Sequence, residues 1–239
     1  MKNAVIVFFV TAFWFSFAVT LTAQSLRFGL KAGAGVAKFD YEPTPPADTF
    51  SSDFYAGLSY DRANKFRPTF LVAGVLEYDL SKDFFLSTGL QSCLKFSKVE
   101  RDLSLSVNND FNMHVLYLQM PLNVHYRAGK FFLGAGGYAG LGIGGKWNAK
   151  IFDDGELIET LSDQLKFGKK IEVSNLKRFD AGLRAEIGFG LKTIRLSIAY
   201  DYGMVNNLNQ WANDKQVVYK SKLHHQALYA TATYYWLAK

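Results

Sequence analysis

The sequence predicts an all-β protein: an eight-stranded antiparallel transmembrane up-and-down β-barrel, preceded by a cleaved signal peptide. Three observations lead to this prediction. Eight stretches alternate apolar and polar residues at a period of two, which is the pattern of amphipathic strands. Tight turns and long loops alternate between those stretches. Aromatic residues of the apolar parity collect near both ends of the strands, as they do at the two interfaces of membrane barrels.

The N-terminus has the features of a secretory signal peptide. Lys2 precedes an uncharged apolar run from Ala4 to Val19, and small residues end the segment at Ala23. An uncleaved membrane anchor is the alternative, because the uncharged stretch continues to Gln24. No basic stop-transfer cluster follows, which favours cleavage. We therefore expect a signal peptide over residues 1–23, a barrel domain over 24–239, and export to the outer membrane.

The strands and their connections follow from the alternation. Strands are predicted at residues 26–39, 66–79, 84–99, 113–127, 131–147, 177–191, 193–205 and 222–237. Tight turns at 80–83, 128–130 and 192–193 separate long connections at 41–65, 100–112, 148–176 and 206–221. Both termini fall on the side of the tight turns. We therefore expect periplasmic turns and extracellular loops.

The polar parity of each strand is expected to face the barrel interior. In the strand 113–127, Leu116 and Leu118 share the apolar face, while Gln119 and Asn123 share the polar one. A soluble lipocalin-like barrel would place its apolar parity inside instead. Charged residues fit a narrow interior better than they fit lipid. On this assignment Leu183→Arg should impair folding more than Gly182→Ser, which adds a small polar group to a polar interior, provided that the packing there has room.

Charges of both signs are predicted inside the barrel. The proposed lumen network consists of Arg27, Lys31, Glu77, Asp79, Lys95, Arg127, Arg178, Asp180, Arg184, Glu186, Arg195 and Asp201, and Arg67 and Lys146 share the same parity. An anion-selective narrow pore is one interpretation and a salt-bridged plug is the other. The lumen of eight strands is only wide enough for side chains to fill, which favours the plug.

Two aromatic girdles are predicted on the outer face. The one beside the termini and tight turns comprises Phe28, Tyr78, Phe84, Tyr126, Phe131, Phe189 and Trp236. The one beside the long loops comprises Phe70, Phe96, Trp147, Phe179 and Tyr202. Two such girdles are expected at the interfaces of a membrane barrel.

Enzymatic and metal chemistry receive little support from the sequence. A lipid A-modifying hydrolase would need a lipid-facing serine near a histidine, but Ser92 is far from His114 along the predicted hairpin. His224 and His225 face opposite sides of a strand and cannot jointly bind a metal. The acidic segment 153–156 lacks the ligand spacing of a calcium loop and fits a turn. No catalytic residue, metal or other cofactor is predicted, and Cys93 is expected to be a buried filler.

Several short segments resemble a known family. They are Phe28-Gly29-Leu30-Lys31-Ala32-Gly33, Gly74-Val75-Leu76-Glu77-Tyr78, Tyr117-Leu118-Gln119-Met120-Pro121-Leu122 and Asp180-Ala181-Gly182. Together they resemble the PorT-like outer-membrane β-barrel family of Bacteroidetes-type bacteria, over the whole chain from Gln24. The resemblance implies the fold and the compartment, and its namesake is an accessory of a protein-secretion system. One departure is that Trp236 lies three residues before the end of the chain.

A non-enzymatic structural, assembly or interaction component is therefore expected. The loops 41–65 and 148–176, rich in aromatic and charged residues respectively, are the predicted contacts for another envelope protein. The sequence pI of about 9.2 fits contact with outer-membrane lipid and lipopolysaccharide phosphates, whereas the compartment excludes nucleic acid. Lipid A hydrolysis and a narrow pore remain the alternatives.

Overall fold

Eleven β-strands make up most of the residues that the structure describes. A computed structural model describes residues 26–42, 63–102, 107–168, 176–208, 211–212, 218–219 and 222–236. The predicted signal peptide and most of the loop 41–65 lie outside these ranges. The strands are β1 (Leu26–Glu42), β2 (Ala63–Asp79), β3 (Phe84–Asp102), β4 (Val107–Ala128), β5 (Phe131–Asp153), β6 (Glu156–Gln164), β7 (Phe179–Gly190), β8 (Ile194–Gly203), β9 (Trp211–Ala212), β10 (Val218–Tyr219) and β11 (Lys222–Trp236).

Eight of these strands close into a ring. Neighbours pair antiparallel in the order β1-β2-β3-β4-β5-β7-β8-β11, and β11 returns to β1 with Phe28 opposite Trp236. All eight predicted strands are present, and the predicted fold class is confirmed. Closure pairs every edge of the ring, which is what a sheet needs in lipid, where no water satisfies free backbone groups.

The tight connections lie at one end of the barrel. They join β2 to β3, β4 to β5 and β7 to β8, and Gly129 in the second of them has a φ of +65°, a conformation that favours glycine. The start of β1 and the end of β11 lie at this same end, since Leu26 pairs with Tyr78 and Phe28 with Trp236. Termini and short turns therefore share one rim, as predicted.

No helix long and apolar enough to cross a bilayer occurs in the ranges that the structure describes.

Alternation of exposure along the strands confirms the predicted faces. In β4, Leu122 and Val124 are exposed, whereas Gln119, Asn123 and His125 are buried in the interior. β8 and β11 alternate in the same way almost without interruption. The apolar parity therefore covers the outside of the barrel, where lipid replaces water.

A β-bulge reverses the faces in the second half of β5. Leu116 of β4 pairs with Gly144, but Tyr117 pairs with Gly142, so Ile143 is an extra residue in β5. Beyond it Trp147 is buried and Lys146 is exposed. The prediction that Trp147 belongs to an outer girdle, with Lys146 inside, is therefore wrong: one inserted residue exchanges the two sides of the strand.

The long connection 148–176 contains a strand that the sequence did not predict. β5 continues to Asp153, and Asp154 and Gly155 form a turn with φ values of 47° and 82°. β6 then pairs back along β5, from Asp153 opposite Glu156 to Lys146 opposite Gln164. The acidic segment is thus a hairpin turn, as expected. β9 and β10 form a small separate ladder within the connection 206–221.

Candidate functional site

The interior of the barrel is filled by side chains in successive layers. At the rim of the tight turns, Asp79 accepts hydrogen bonds from Arg27 at 3.0 Å and from Arg127 at 2.7 Å. One layer deeper, Glu77 accepts from both Arg195 and Tyr235. These carboxylates come from β2. Arg127 and Arg195 connect β2 to β4 and β8, which are not its neighbours in the ring, whereas Arg27 comes from the adjacent β1.

The next layer combines Glu186 with smaller polar groups. Glu186 accepts from Lys31 at 3.0 Å and from the Ser197 hydroxyl at 2.5 Å. His125 contacts the Ser87 hydroxyl at 2.8 Å and stacks on an aromatic ring of β3. The cavity between these two layers has a volume of about 10 Å³, so it holds at most about one water molecule.

A bidentate ion pair occupies the middle of the barrel. Arg184 donates from Nε and Nη2 to the two carboxylate oxygens of Asp201 at 2.6 and 2.7 Å, and from Nη1 to Gln91 at 3.0 Å. Side-chain exposure is 3% for Arg184 and 0% for Asp201. Such a pair is stable away from water only because the two charges and their hydrogen bonds satisfy each other.

His225 is the centre of the deepest polar layer. Its Nε2 contacts the Lys95 ammonium and lies 3.0 Å from the Tyr138 hydroxyl, while its Nδ1 lies 3.3 Å from Asp180. The carboxylate of Asp180 also accepts from Asn207 at 3.5 Å. Sequence reasoning placed His225 on the face opposite His224 but did not assign it to the network. Its place among the inward-facing residues of the strand could have assigned it to the network.

The interior beyond this layer is apolar. It contains buried side chains from the extended strands and from the segments that follow them, namely Phe39, Phe111, Met113, Trp147, Leu165, Leu176, Leu208 and Leu223. The rings of Phe111 and Trp147 stack with centroids 5.7 Å apart. The prediction of a polar interior therefore holds only for the part of the barrel next to the tight turns and for its middle.

Eleven of the twelve charges predicted for the lumen lie in these layers. The exception is Arg178, which precedes β7 and is exposed. The eleven comprise six basic and five acidic residues, each in contact with another polar group of the interior. A nearly balanced set of charges, with a cavity of only about 10 Å³ between its first layers, is suited to hold the barrel together.

The outer face carries the aromatic residues predicted beside the tight turns. Ring pairs form between Phe84 and Tyr126 at 5.3 Å and between Phe131 and Phe189 at 5.3 Å, with Phe28, Tyr78 and Trp236 at the same end of the barrel. In β4, ten residues separate Tyr126 from Leu116. At about 3.4 Å per residue and a tilt near 40°, this span is roughly 26 Å, close to the height of a barrel's apolar band.

The residues considered for catalysis do not form a site. Ser92 lies opposite Leu118, whereas His114 lies opposite Phe96 and packs on its ring at 4.6 Å. A serine without a base in hydrogen-bond reach is a weak nucleophile. Within the described ranges, no group of three or more His, Cys, Asp or Glu side chains is positioned to hold a metal ion. Cys93 is buried and contacts Gln119 at 3.1 Å.

Several solved structures resemble this chain at low sequence identity. Neisserial surface protein A is 13% identical, with a TM-score of 0.39, over 89% of this chain and 99% of its own. Ail of Yersinia pestis, in complex with the heparin analogue sucrose octasulfate, is 12% identical, with a TM-score of 0.36, over 89% and 99%. The outer membrane protease OmpT of Escherichia coli is 9% identical, with a TM-score of 0.34, over 91% and 100%.

The sequence itself shows the family. A search of curated proteins found no match. The profile described as "Outer membrane protein beta-barrel domain" matches residues 22–209, which is most of the chain and spans β1 to β8. This agrees with the closed ring, its apolar outer face and its charged interior. The chain belongs to the outer membrane protein beta-barrel domain family.

Proposed function

We propose that this protein is a non-enzymatic scaffold of the outer membrane that presents strands outside the bilayer to another envelope protein. The finer assignment is an accessory role in protein secretion, as the resemblance to PorT-like barrels implies. The observation that carries the proposal is an open sheet edge. β6 pairs with β5 alone, and its other edge has no partner strand in the described part of the chain.

The position of β6 supports this role. The last lipid-facing residue of β5 is Ile143, and the strand continues for ten residues to Asp153, which is roughly 30 Å of extended chain. Eight of the nine residues of β6 are exposed, and Leu157 and Ile158 are among them. A free strand edge is a template for pairing with another chain, and native proteins normally protect such edges.

The charge of the edge indicates the kind of partner. Glu156, Glu159 and Asp163 make β6 acidic, and the two exposed apolar side chains lie near its tip. An extended segment that adds to this edge would gain main-chain hydrogen bonds, while its side chains set the specificity. The expected partner segment is therefore extended, basic and partly apolar. The segment 148–176 thus remains the proposed contact, with β6 as the part that pairs.

Affinity capture from native membranes tests the proposal. A partner should co-purify with the wild-type protein and be lost from the triple variant Glu156→Lys, Glu159→Lys, Asp163→Lys. Asp83→Lys, a single charge reversal in an exposed turn at the opposite rim, should retain it. Capture that is unaffected by the β6 variant would refute this use of the edge.

Lipid A analysis separates the scaffold from the hydrolase alternative. Mass spectra of lipid A from wild-type and deletion strains should be identical if the protein is not an enzyme. Loss of an acyl modification in the deletion strain would favour the enzyme instead.

A further inference from the structure

A pocket opens on the outer face of β2, β3 and β4, at the end of the barrel opposite the tight turns. Its volume is about 310 Å³, and it is lined by Arg67, Pro68, Phe70, Phe96, Ser97, Asn112 and His114. Phe70 and His114 are exposed on the outer face, and Phe96 lies directly opposite His114. The pocket therefore lies at the upper boundary of the apolar band, at the depth of lipid headgroups.

A bulge in β2 creates the opening. Phe66 pairs with Ser97 and Phe70 with Leu94, so three residues of β2 face two of β3. Pro68, in the bulge, has no N–H to donate to the neighbouring strand. The ladder is interrupted here, and the strands leave a concave site between them.

Two lysines near the pocket have counter-ions, whereas Arg67 has none among the residues that the structure describes. Lys38 pairs with Asp40 at 2.6 Å, and Lys98 pairs with Asp110 at 2.7 Å. For Arg67, no ion pair or hydrogen bond is found to any residue that the structure describes, and its Nε atom is buried without a partner. A buried guanidinium donor without an acceptor is costly, so an external acceptor would stabilise it.

The pocket combines that cation with neutral donors and apolar walls. Asn112 and His114 provide polar groups, while Phe70 and Phe96 provide apolar surface. Arginine binds phosphate through paired hydrogen bonds, and basic pockets at membrane interfaces bind lipid headgroups. An anion carried on an acyl chain matches both parts of the pocket.

We propose that this pocket binds the phosphate of an outer-leaflet glycolipid, namely the lipid A part of lipopolysaccharide. Arg67 and Asn112 hold the phosphate, and an acyl chain descends along Phe70 and Phe96. The site is separate from β6 and does not depend on the scaffold function proposed above.

Native mass spectrometry of the purified protein in detergent, with added lipid A, provides the test. Diphosphorylated lipid A should bind at least tenfold more tightly to the wild-type protein than to Arg67→Gln. Lys130→Gln, which removes the same charge from an exposed turn at the other rim, should bind like the wild type. Arg67→Lys keeps the charge without the paired donors and should bind with intermediate affinity. Heat-modifiable gel migration verifies that each variant is folded.

Two further measurements define the ligand. Dephosphorylated lipid A should lose most of the affinity, and millimolar inorganic phosphate should not displace the lipid. Equal binding of dephosphorylated lipid A, or equal binding by a folded Arg67→Gln variant, would overturn the proposal. Full displacement by inorganic phosphate would also overturn it, because the site would then be one for free anions.

Discussion

Replacing Arg184 by methionine should strongly destabilise the barrel. The change removes three hydrogen bonds, two of them to Asp201 and one to Gln91. It leaves the Asp201 carboxylate at 0% exposure without its counter-charge. Breaking a buried pair in this way costs about 3–5 kcal/mol, which corresponds to a roughly 100- to 5,000-fold smaller folding equilibrium constant.

Removing both charges should restore most of that stability. In the double variant Arg184→Met, Asp201→Leu, no uncompensated charge remains, and apolar replacements of buried pairs are often neutral. The two single changes and the double change form a thermodynamic cycle, and its coupling energy isolates the pair. Urea titrations of protein in lipid vesicles, followed by tryptophan fluorescence, measure each free energy of unfolding.

An exposed ion pair provides the matched control. Lys166 lies 3.7 Å from Asp163, and both side chains are more than half exposed. Lys166→Met should therefore cost less than about 1 kcal/mol. The reasoning is refuted if Arg184→Met costs no more than this control, because the lumen would then be hydrated. It is also refuted if the double variant loses the sum of the two single losses.

Further predictions concern the outer face, the packing, the lumen and the orientation. Leu183→Arg should lower the free energy of unfolding in lipid vesicles by about 2–4 kcal/mol, because residue 183 lies at mid-membrane. Phe189→Arg, at the girdle, should lower it by only about 0–1 kcal/mol. Gly182→Ala should impair folding on heat-modifiable gels, because its Cβ would lie 2.1 Å from the carbonyl oxygen of Tyr202; Gly74→Ala meets nothing within 4 Å and should fold normally. Purified protein in planar bilayers should show no steady conductance, because the described lumen is filled. A cysteine in the turn 80–83 should be labelled only after the outer membrane is permeabilised, whereas one in the β5–β6 turn should be labelled on intact cells.

Each of these predictions has an outcome that would contradict it. Equal costs for the two arginine variants of β7 would mean that the strand does not cross the bilayer as described. Normal folding of Gly182→Ala would show that the strands there are not closely packed. Large, steady channels would mean that the interior opens. Labelling of the turn 80–83 on intact cells would reverse the topology.

The sequence predicted the ring because strand alternation is a local property. In β4 or β11, the alternation of apolar and polar residues indicates which face of the sheet each residue occupies. An even number of such strands leaves few alternatives to a barrel. The same reasoning failed beyond Ile143, because counting by two assumes that no residue is inserted. The bulge lies among several glycines. Because glycine has no side chain, its position in the sequence does not indicate which face of the strand it occupies, and the inserted residue could not be predicted.

Two other features could not be predicted from the alternation of apolar and polar residues. β6 was predicted as part of a loop, because both of its faces are exposed and no buried parity marks it. The room that a milder effect of Gly182→Ser requires is also absent, because a Cβ at Gly182 would lie 2.1 Å from the carbonyl oxygen of Tyr202. Close approach of two backbones depends on the shape of the whole barrel. Similarly, Lys95 and His225 meet across 130 residues of sequence, which a local pattern does not predict.

The filled interior also bears on where a binding function can reside. Charged and aromatic side chains occupy the lumen from the rim of the tight turns to its middle, and the apolar cluster occupies the part beyond. On the functions proposed above, binding is therefore expected at the outer face and the projecting strands. The apolar cluster lies at the base of those strands, because Phe111, Met113 and Trp147 belong to β4 and β5 where they leave the membrane. We expect a firm base to keep the β5–β6 hairpin in one conformation, which would lower the entropic cost of binding the proposed partner. Weakening the base, for example by Trp147→Ala, should therefore reduce partner capture even though the open edge of β6 is unchanged.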